Sequence, residues 1–148
     1  MNTTISINGK DVEITLTPDQ IKKIKETKTE ITERIKTFED ACEHQGVNVD
    51  EFYSGCKNLT IDEIAYKKLK IIAKALNENK EPDWNNSNEG KYYPYFDMRS
   101  TSGFGFSGAH CGDWRAYTYC GSRLSFRSSK LAEYAGSQFT SIYKELFT

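Results

Sequence analysis

Apolar and polar residues alternate on either side of one short turn: Ile5 and Ile7 precede Asn8-Gly9, and Val12, Ile14 and Leu16 follow it. A period of two marks a half-buried strand, and Asn-Gly supplies the positive-φ pair that a tight hairpin turn needs. The pattern predicts a β-hairpin over 1–16. The period then changes. Thr17, Pro18 and Gln20 have the spacing of a capping box, and Ile21, Ile24, Ile31, Ile35, Phe38 and Cys42 follow at helical intervals, with Lys28 in the missing step. This stripe is narrow and set among Lys, Glu and Thr. It predicts a long solvated helix, or two, over 21–42, whose thin face packs on its own domain or on a second copy of the chain as a homo-oligomer seam. Gly46 ends the helix and 47–52 forms a connector.

A broader stripe comes next. Ile61, Ile64, Ala65, Leu69, Ile72, Ala73 and Leu76 predict a core helix from Thr60 to Asn77, with Thr60 and Glu63 as its capping box and a stop at 77–82. From Trp84 onward the pattern shortens to strand-like runs with Gly-rich turns, at 92–98, 103–107, 115–120 and 123–127. Connections this short favour an antiparallel meander. Ser128 or Ser129 then caps a last helix to about Phe147, with Leu131, Ala135, Phe139, Ile142 and Leu146 on one face. The predicted fold class is α+β: a small antiparallel β-meander covered by helices, with an N-terminal hairpin and a C-terminal helix. A length of 148 residues suits a single domain, divided as a hairpin over 1–16, a helical part over 17–80 and an aromatic sheet with its helix over 84–148.

Composition changes this picture at one place. Eleven of the nineteen aromatic residues, both tryptophans and six of the ten glycines lie between Trp84 and Phe126, and four of the five arginines lie between Arg99 and Arg127. The whole chain carries a formal charge of −1, so no global field draws it to nucleic acid or to an anionic membrane. The basic bias is local and coincides with the aromatic segment. Planar rings stack on bases, and Arg forks grip phosphate.

Alternation puts Tyr93 and Tyr95 on one face of their strand and Tyr92, Pro94 and Phe96 on the other. It likewise opposes Arg123, Ser125 and Arg127 to Leu124 and Phe126. The expected ligand site is therefore Trp84, Tyr93, Tyr95, Trp114, Arg115, Ser122, Arg123, Arg127 and Ser128, with free N–H groups at the start of the last helix favouring an anion. Trp84 has a second reading, as the anchor of the loop 81–86.

Other chemistry has thinner support. Gly103-Phe-Gly105 lacks a phosphate-loop Lys and a strand–loop–helix frame, and predicts a turn and a bulged strand instead. Cys42, His44, His110 and Cys111 include the atoms of a zinc site, but their spacing is that of no known finger. His110 with Asp113, or a Cys–His pair, has no catalytic geometry in sequence. No catalytic residue, metal or cofactor is predicted, and the expectation is a protein that is not an enzyme. No apolar run reaches bilayer length and the first residues lack a signal-peptide core, so a soluble cytoplasmic protein without a membrane partner is expected.

Four strings, RIKTFEDAC at 34–42, KLKIIAKALNENKEPDWNNSNEGKYYPYF at 68–96, SGFGFS at 102–107 and GSRLSFRSSKLAEYAGSQFTSIYKELF at 121–147, occur in an order that resembles one group. It comprises small proteins encoded by phages, prophages and related mobile elements of gut Bacteroidota. Tyr95 stands where that group has Trp, and Ser125 and Arg127 where Cys and Lys are common. The resemblance implies a phage-like context within a bacterial host cell and brings no activity or catalytic residue. With the aromatic and basic patch, it gives the expected function: a non-enzymatic binding protein that holds a nucleotide-like small ligand and sequesters a host defence signal. The alternatives are a single-stranded nucleic-acid binder, and a virion or host-protein interaction module.

Overall fold

The structure is a computed structural model that describes residues 2–7, 10–21, 29–86, 88–99, 104–112 and 122–148, with backbone alone for 2–14, 112 and 122. The described elements form an α+β fold with two separate antiparallel strand pairs. The chain groups into two compact units, Met1–Arg34 and Ile35–Thr148.

In the first unit, β1 (Asn2–Ile7) pairs antiparallel with β2 (Lys10–Thr15), in a register running from Asn2 opposite Thr15 to Ile7 opposite Lys10. That register leaves two residues for the turn, as the alternation requires; Asn8-Gly9 itself lies outside the described residues. The capping box forms as predicted. The Thr17 N–H donates to Gln20 Oε1 (2.9 Å), the Gln20 N–H donates to the Thr17 hydroxyl (3.3 Å), and the backbone is helical over 18–21. Residues 22–28 of the expected long helix lie outside the description. A short helix α1 (Ile31–Arg34) closes the unit.

The predicted stripe does not run on as one helix. It is interrupted at 35–37, where Thr37 opens a second capping box: its hydroxyl accepts from the Asp40 N–H (3.1 Å), and the Asp40 carboxylate accepts from the N–H groups of Lys36 (2.9 Å) and Thr37 (2.8 Å). These bonds, the one from Lys36 foremost, hold the Asp40 carboxyl below its ordinary pKa. Helix α2 (Phe38–Gln45) follows, and Gly46 ends it in the left-handed region at φ 66°. The Val47 N–H returns to the Cys42 carbonyl and the Gly46 N–H to that of Glu43, the paired bonds of a Schellman stop. The connector is α3 (Val49–Ser54), capped by the Asn48 side chain, which accepts from the Glu51 N–H (3.0 Å).

Helix α4 (Ile61–Leu76) is the centre of the second unit and packs on α2. The Glu63 carboxylate accepts from both the N–H and the hydroxyl of Thr60 (2.8 and 3.0 Å). Its buried face begins at Ala65 and continues through Leu69, Ile72, Ala73 and Leu76. Ile61, expected in the core, is 68 % exposed, because the first helical turn precedes the packed part of the stripe.

Strand β3 (Lys91–Asp97) pairs antiparallel with β4 (Gly105–Gly112), longer at its C-terminal end than the predicted 103–107. The register runs Tyr95 to Gly108 and then Phe96 to Phe106, so Ser107 is the extra residue of a β-bulge and Gly108 takes φ 157°. The expected bulged strand is present. The expected strand at 115–120 lies outside the described residues, and the one at 123–127 is replaced. Ser122–Leu124 forms a 3-10 turn, and only Phe126 bridges to Tyr92, through N–H to carbonyl bonds of 2.7 and 2.9 Å. The ladder cannot extend on either side of Phe126, because Leu124 belongs to the 3-10 turn and Ser128 caps the next helix. On the margin away from Tyr92, Asn77 Nδ2 donates to the Ser125 carbonyl (2.9 Å) and Asn77 Oδ1 accepts from the Arg127 N–H (3.1 Å).

The last helix is two. The Ser128 hydroxyl caps α5 (Ser129–Gln138) by accepting from the Leu131 N–H (3.3 Å), and α6 (Thr140–Phe147) follows after Phe139. The Thr140 hydroxyl donates back to the carbonyls of Gly136 and Ser137 at the break. Helix α5 packs on β3 and β4, and α6 on α4. Leu131, Ala135 and Phe139 are buried as predicted, whereas Tyr143, not Ile142, takes the core position of α6. Its ring meets Phe96 at 4.8 Å between centroids.

Burial pushes the Tyr143 phenol far above its ordinary pKa. The neutral form is the folded form, so the unfolded chain gives up this proton near pH ~10 while the folded chain retains it. Stability is therefore complete below about pH 10 and falls as pH rises beyond it, by at most about 1.4 kcal/mol per pH unit from this group. Urea unfolding followed between about pH 9 and 11 should show this slope, and Tyr143→Phe should remove its larger part. Tyr134, raised chiefly by burial and then by the Asp40 charge, and the Cys42 thiol, raised by burial and then by Glu39, add to the slope. An unchanged slope in Tyr143→Phe would refute the assignment.

Candidate functional site

Helix α4 ends in a left-handed turn. Glu78 and Asn79 have φ of 52° and 61°, and their N–H groups return to the carbonyls of Ala75 and Lys74. This reversal brings Lys80, Glu81 and Pro82 back beside the last turns of α4. The Asn77 amide meanwhile fixes the segment after the 3-10 turn. Together they shape a cavity of about 80 Å³, lined by Lys70, Lys74 and Asn77 from α4 and its end, by Lys80, Glu81 and Pro82 from the turn, and by Arg123 and Ser125. Lys70, Lys74, Lys80 and Arg123 are all exposed, and none of the four is in an ion pair among the described residues. Glu81 contributes one negative charge and the carbonyl end of α4 about half of one, which leaves an excess of about two and a half positive charges facing one small cavity.

A second cavity, of about 90 Å³, adjoins the first and shares Asn77, Lys80, Pro82 and Ser125 with it. Gly90, Lys91, Phe126 and Arg127 complete its walls with Glu89. Its cations differ in kind. Arg127 donates to the Glu78 carboxylate. Lys91 is 1 % exposed, and its ammonium donates to the carbonyls of Asp83 (3.0 Å), Glu89 (2.9 Å) and Asn86 (3.4 Å). The Glu89 carboxylate lies 3.3 Å away and the Trp84 ring centroid 5.5 Å away.

Asp83, Asn86 and Glu89 thus form a cage around one ammonium group. Turns at Asp83 and Asn86 set its path, each side-chain oxygen accepting from the N–H two residues on, and Glu89 Oε2 accepts from the Asp83 N–H (2.6 Å). Trp84 lies under the Lys91 ammonium and lines neither cavity.

The predicted ligand residues fall in different places. Arg123 lines the basic cavity, and Arg127 the neighbouring one with its charge paired. Ser128 spends its hydroxyl on the helix cap. The Ser129 hydroxyl donates to Glu133, which puts a carboxylate near the helix start where an anion was expected. Tyr93 stacks on His110 across the strand pair at 5.8 Å, and Tyr95 is 57 % exposed opposite Gly108. Neither tyrosine lines either cavity. Trp114, Arg115 and the side chain of Ser122 lie outside the described residues. The inner face of β3 is spent on packing, with Phe96 against Phe104, Phe106, Tyr143 and Phe147.

Lys70, Lys74 and Lys80 were not among the predicted residues. Their signal is legible in retrospect: from Ile64 to Asn77 there are four lysines and no acid. Cys42 and Cys56 are buried free thiols, with that of Cys42 pushed up by burial first and by Glu39 second, and Cys111 is exposed. Among the described residues no three His, Cys, Asp or Glu side chains are placed to hold a metal, and no helix is long and apolar enough to cross a membrane. No protein-family model, curated protein or solved structure matches the chain.

Proposed function

We propose that the chain is a non-enzymatic binding protein that captures a small phosphate-bearing ligand of nucleotide type in the cleft formed by Lys70, Lys74, Lys80 and Arg123. The observation that carries this reading is the gathering, around one cavity, of four cations from a helix, a turn and a 3-10 segment, none of them in an ion pair among the described residues. Cations on a solvated face repel one another; an anion that bonds to several at once relieves that repulsion and gains charge-assisted hydrogen bonds. The resemblance to phage-encoded proteins supplies the biological form of the proposal: stoichiometric sequestration of a host defence nucleotide in the bacterial cytoplasm.

Calorimetry of the purified protein with a panel of nucleotides tests this. The double variant Lys74→Glu, Arg123→Glu should weaken binding by about a hundredfold or more, since each lost bond to a charged group is worth roughly 1.5–3 kcal/mol. Arg127→Ala should leave the affinity within about threefold, because that guanidinium is already held by Glu78. Absence of heat with every nucleotide would refute the proposal.

A second reading rests on Lys67, Lys70 and Lys74, which lie exposed along α4 at helical spacing. They suit the backbone of a single-stranded nucleic acid. In that case affinity rises with strand length and falls steeply with salt, neither of which a single-cavity ligand produces.

A further inference from the structure

We infer that the cleft is cut for one phosphoryl group carried on an uncharged, sugar-sized body, so that phosphomonoesters bind and diphosphates are disfavoured. This rests on the anion-binding reading and narrows it to a ligand class.

Volume sets the first limit. A cavity of about 80 Å³ is well below the roughly 300–1,000 Å³ that encloses a drug-sized ligand. It admits a single tetrahedral anion and no ring system, and no aromatic side chain lines it. The adjoining cavity sets the second limit. Whatever is bonded to the phosphoryl group enters the space beside Gly90, Phe126 and Pro82. Lys91 is neutralised there by Glu89 and three carbonyls, and Arg127 by Glu78. Of the cations lining it, Lys80, shared with the first cavity, is the one without an ion-pair partner among the described residues.

A second phosphoryl group in this space would find Lys91 and Arg127 already paired and only the shared Lys80 to bond, so it would gain too little to offset its own loss of hydration. A neutral polyol would meet instead Pro82, the half-buried backbone at Gly90 and the edge of the buried Phe126. A base beyond the sugar would project past both cavities and add little.

Calorimetry with inorganic phosphate, ribose 5-phosphate, AMP, ADP, adenosine and sulfate tests the inference. The expected result is one site per chain for inorganic phosphate and ribose 5-phosphate, with AMP within about threefold of ribose 5-phosphate and ADP about tenfold weaker than AMP. Adenosine should give no heat, and Lys74→Glu with Arg123→Glu should abolish all binding while circular dichroism and the unfolding midpoint show an intact fold. ADP equal to or tighter than AMP overturns the single-phosphoryl assignment and leaves nucleotide capture standing. So does AMP binding with ribose 5-phosphate and inorganic phosphate silent. Sulfate, a tetrahedral anion of the same size, should bind as inorganic phosphate does, and silent sulfate beside binding phosphate overturns the assignment, since charge and volume then do not decide. Silence of all six compounds overturns both readings, and binding that survives the double variant puts the site elsewhere.

Discussion

Lys91→Met is expected to lower stability by about 2–3 kcal/mol, less than for a fully buried ion pair, because the Glu89 side chain left behind is 31 % exposed. The methionine keeps the length of the stem and loses the ammonium. Carbonyls of Asp83, Asn86 and Glu89 and the Glu89 carboxylate then face a methyl group instead of a cationic donor. The loop also loses the cation that lies over Trp84. For a protein of this size such a loss shifts the urea midpoint by about 1–3 M. Glu89→Gln should cost less, because the ammonium retains its three carbonyls. A Lys91→Met protein whose midpoint matches the parent would show that the loop is held by other contacts, and amide exchange at Asp83 and Asn85 would locate them.

The second large effect has a sign opposite to helix propensity. Gly→Ala inside an exposed helix gains about 1 kcal/mol. Gly136 lies within α5, yet a Cβ placed there would overlap the Phe106 ring and come within 2.8 Å of Pro94 Cβ. Pro94 is fixed on β3, and Phe106 is in contact with Phe96, so the helix must lift off the strand pair. Overpacking of this kind costs about 1–3 kcal/mol and outweighs the propensity gain. Gly136→Ala should therefore unfold at lower urea than the parent, and Phe106→Leu in the same chain should recover part of the loss. A stabilised Gly136→Ala would mean that α5 and the strands separate freely.

The parts of the fold that could be read from sequence are those decided within a few residues. Three N-terminal signals illustrate this: Thr17 with Gln20, Thr60 with Glu63, and the serine before Leu131 all form the expected bonds. The Asn-Gly register and the Gly46 stop follow for the same reason, since one backbone conformation suffices to specify each.

The site was legible only in fragments because its parts meet through the chain's long-range folding. Arg123 was found by alternation, although its segment is not the strand that alternation assumed. Lys70 and Lys74 looked like the solvated side of an amphipathic helix, and nothing local says that Arg123 arrives beside them. Lys91 is the sharpest case. No role was expected of it, and the carbonyls of Asp83, Asn86 and Glu89 make it the largest fully buried side chain among the described residues. The Lys70–Arg123 meeting depends on Asn77, forty-eight residues from the carbonyl it holds.

That asparagine has one more consequence. A strand of residues 125–127, paired with Tyr92 on one side, would present an open row of donors and acceptors on the other, where a foreign polypeptide could add itself. The carboxamide of Asn77 occupies those positions from within the same molecule, imitating a neighbouring peptide unit. It thereby closes that margin of the sheet to fibril growth and to strand exchange between copies.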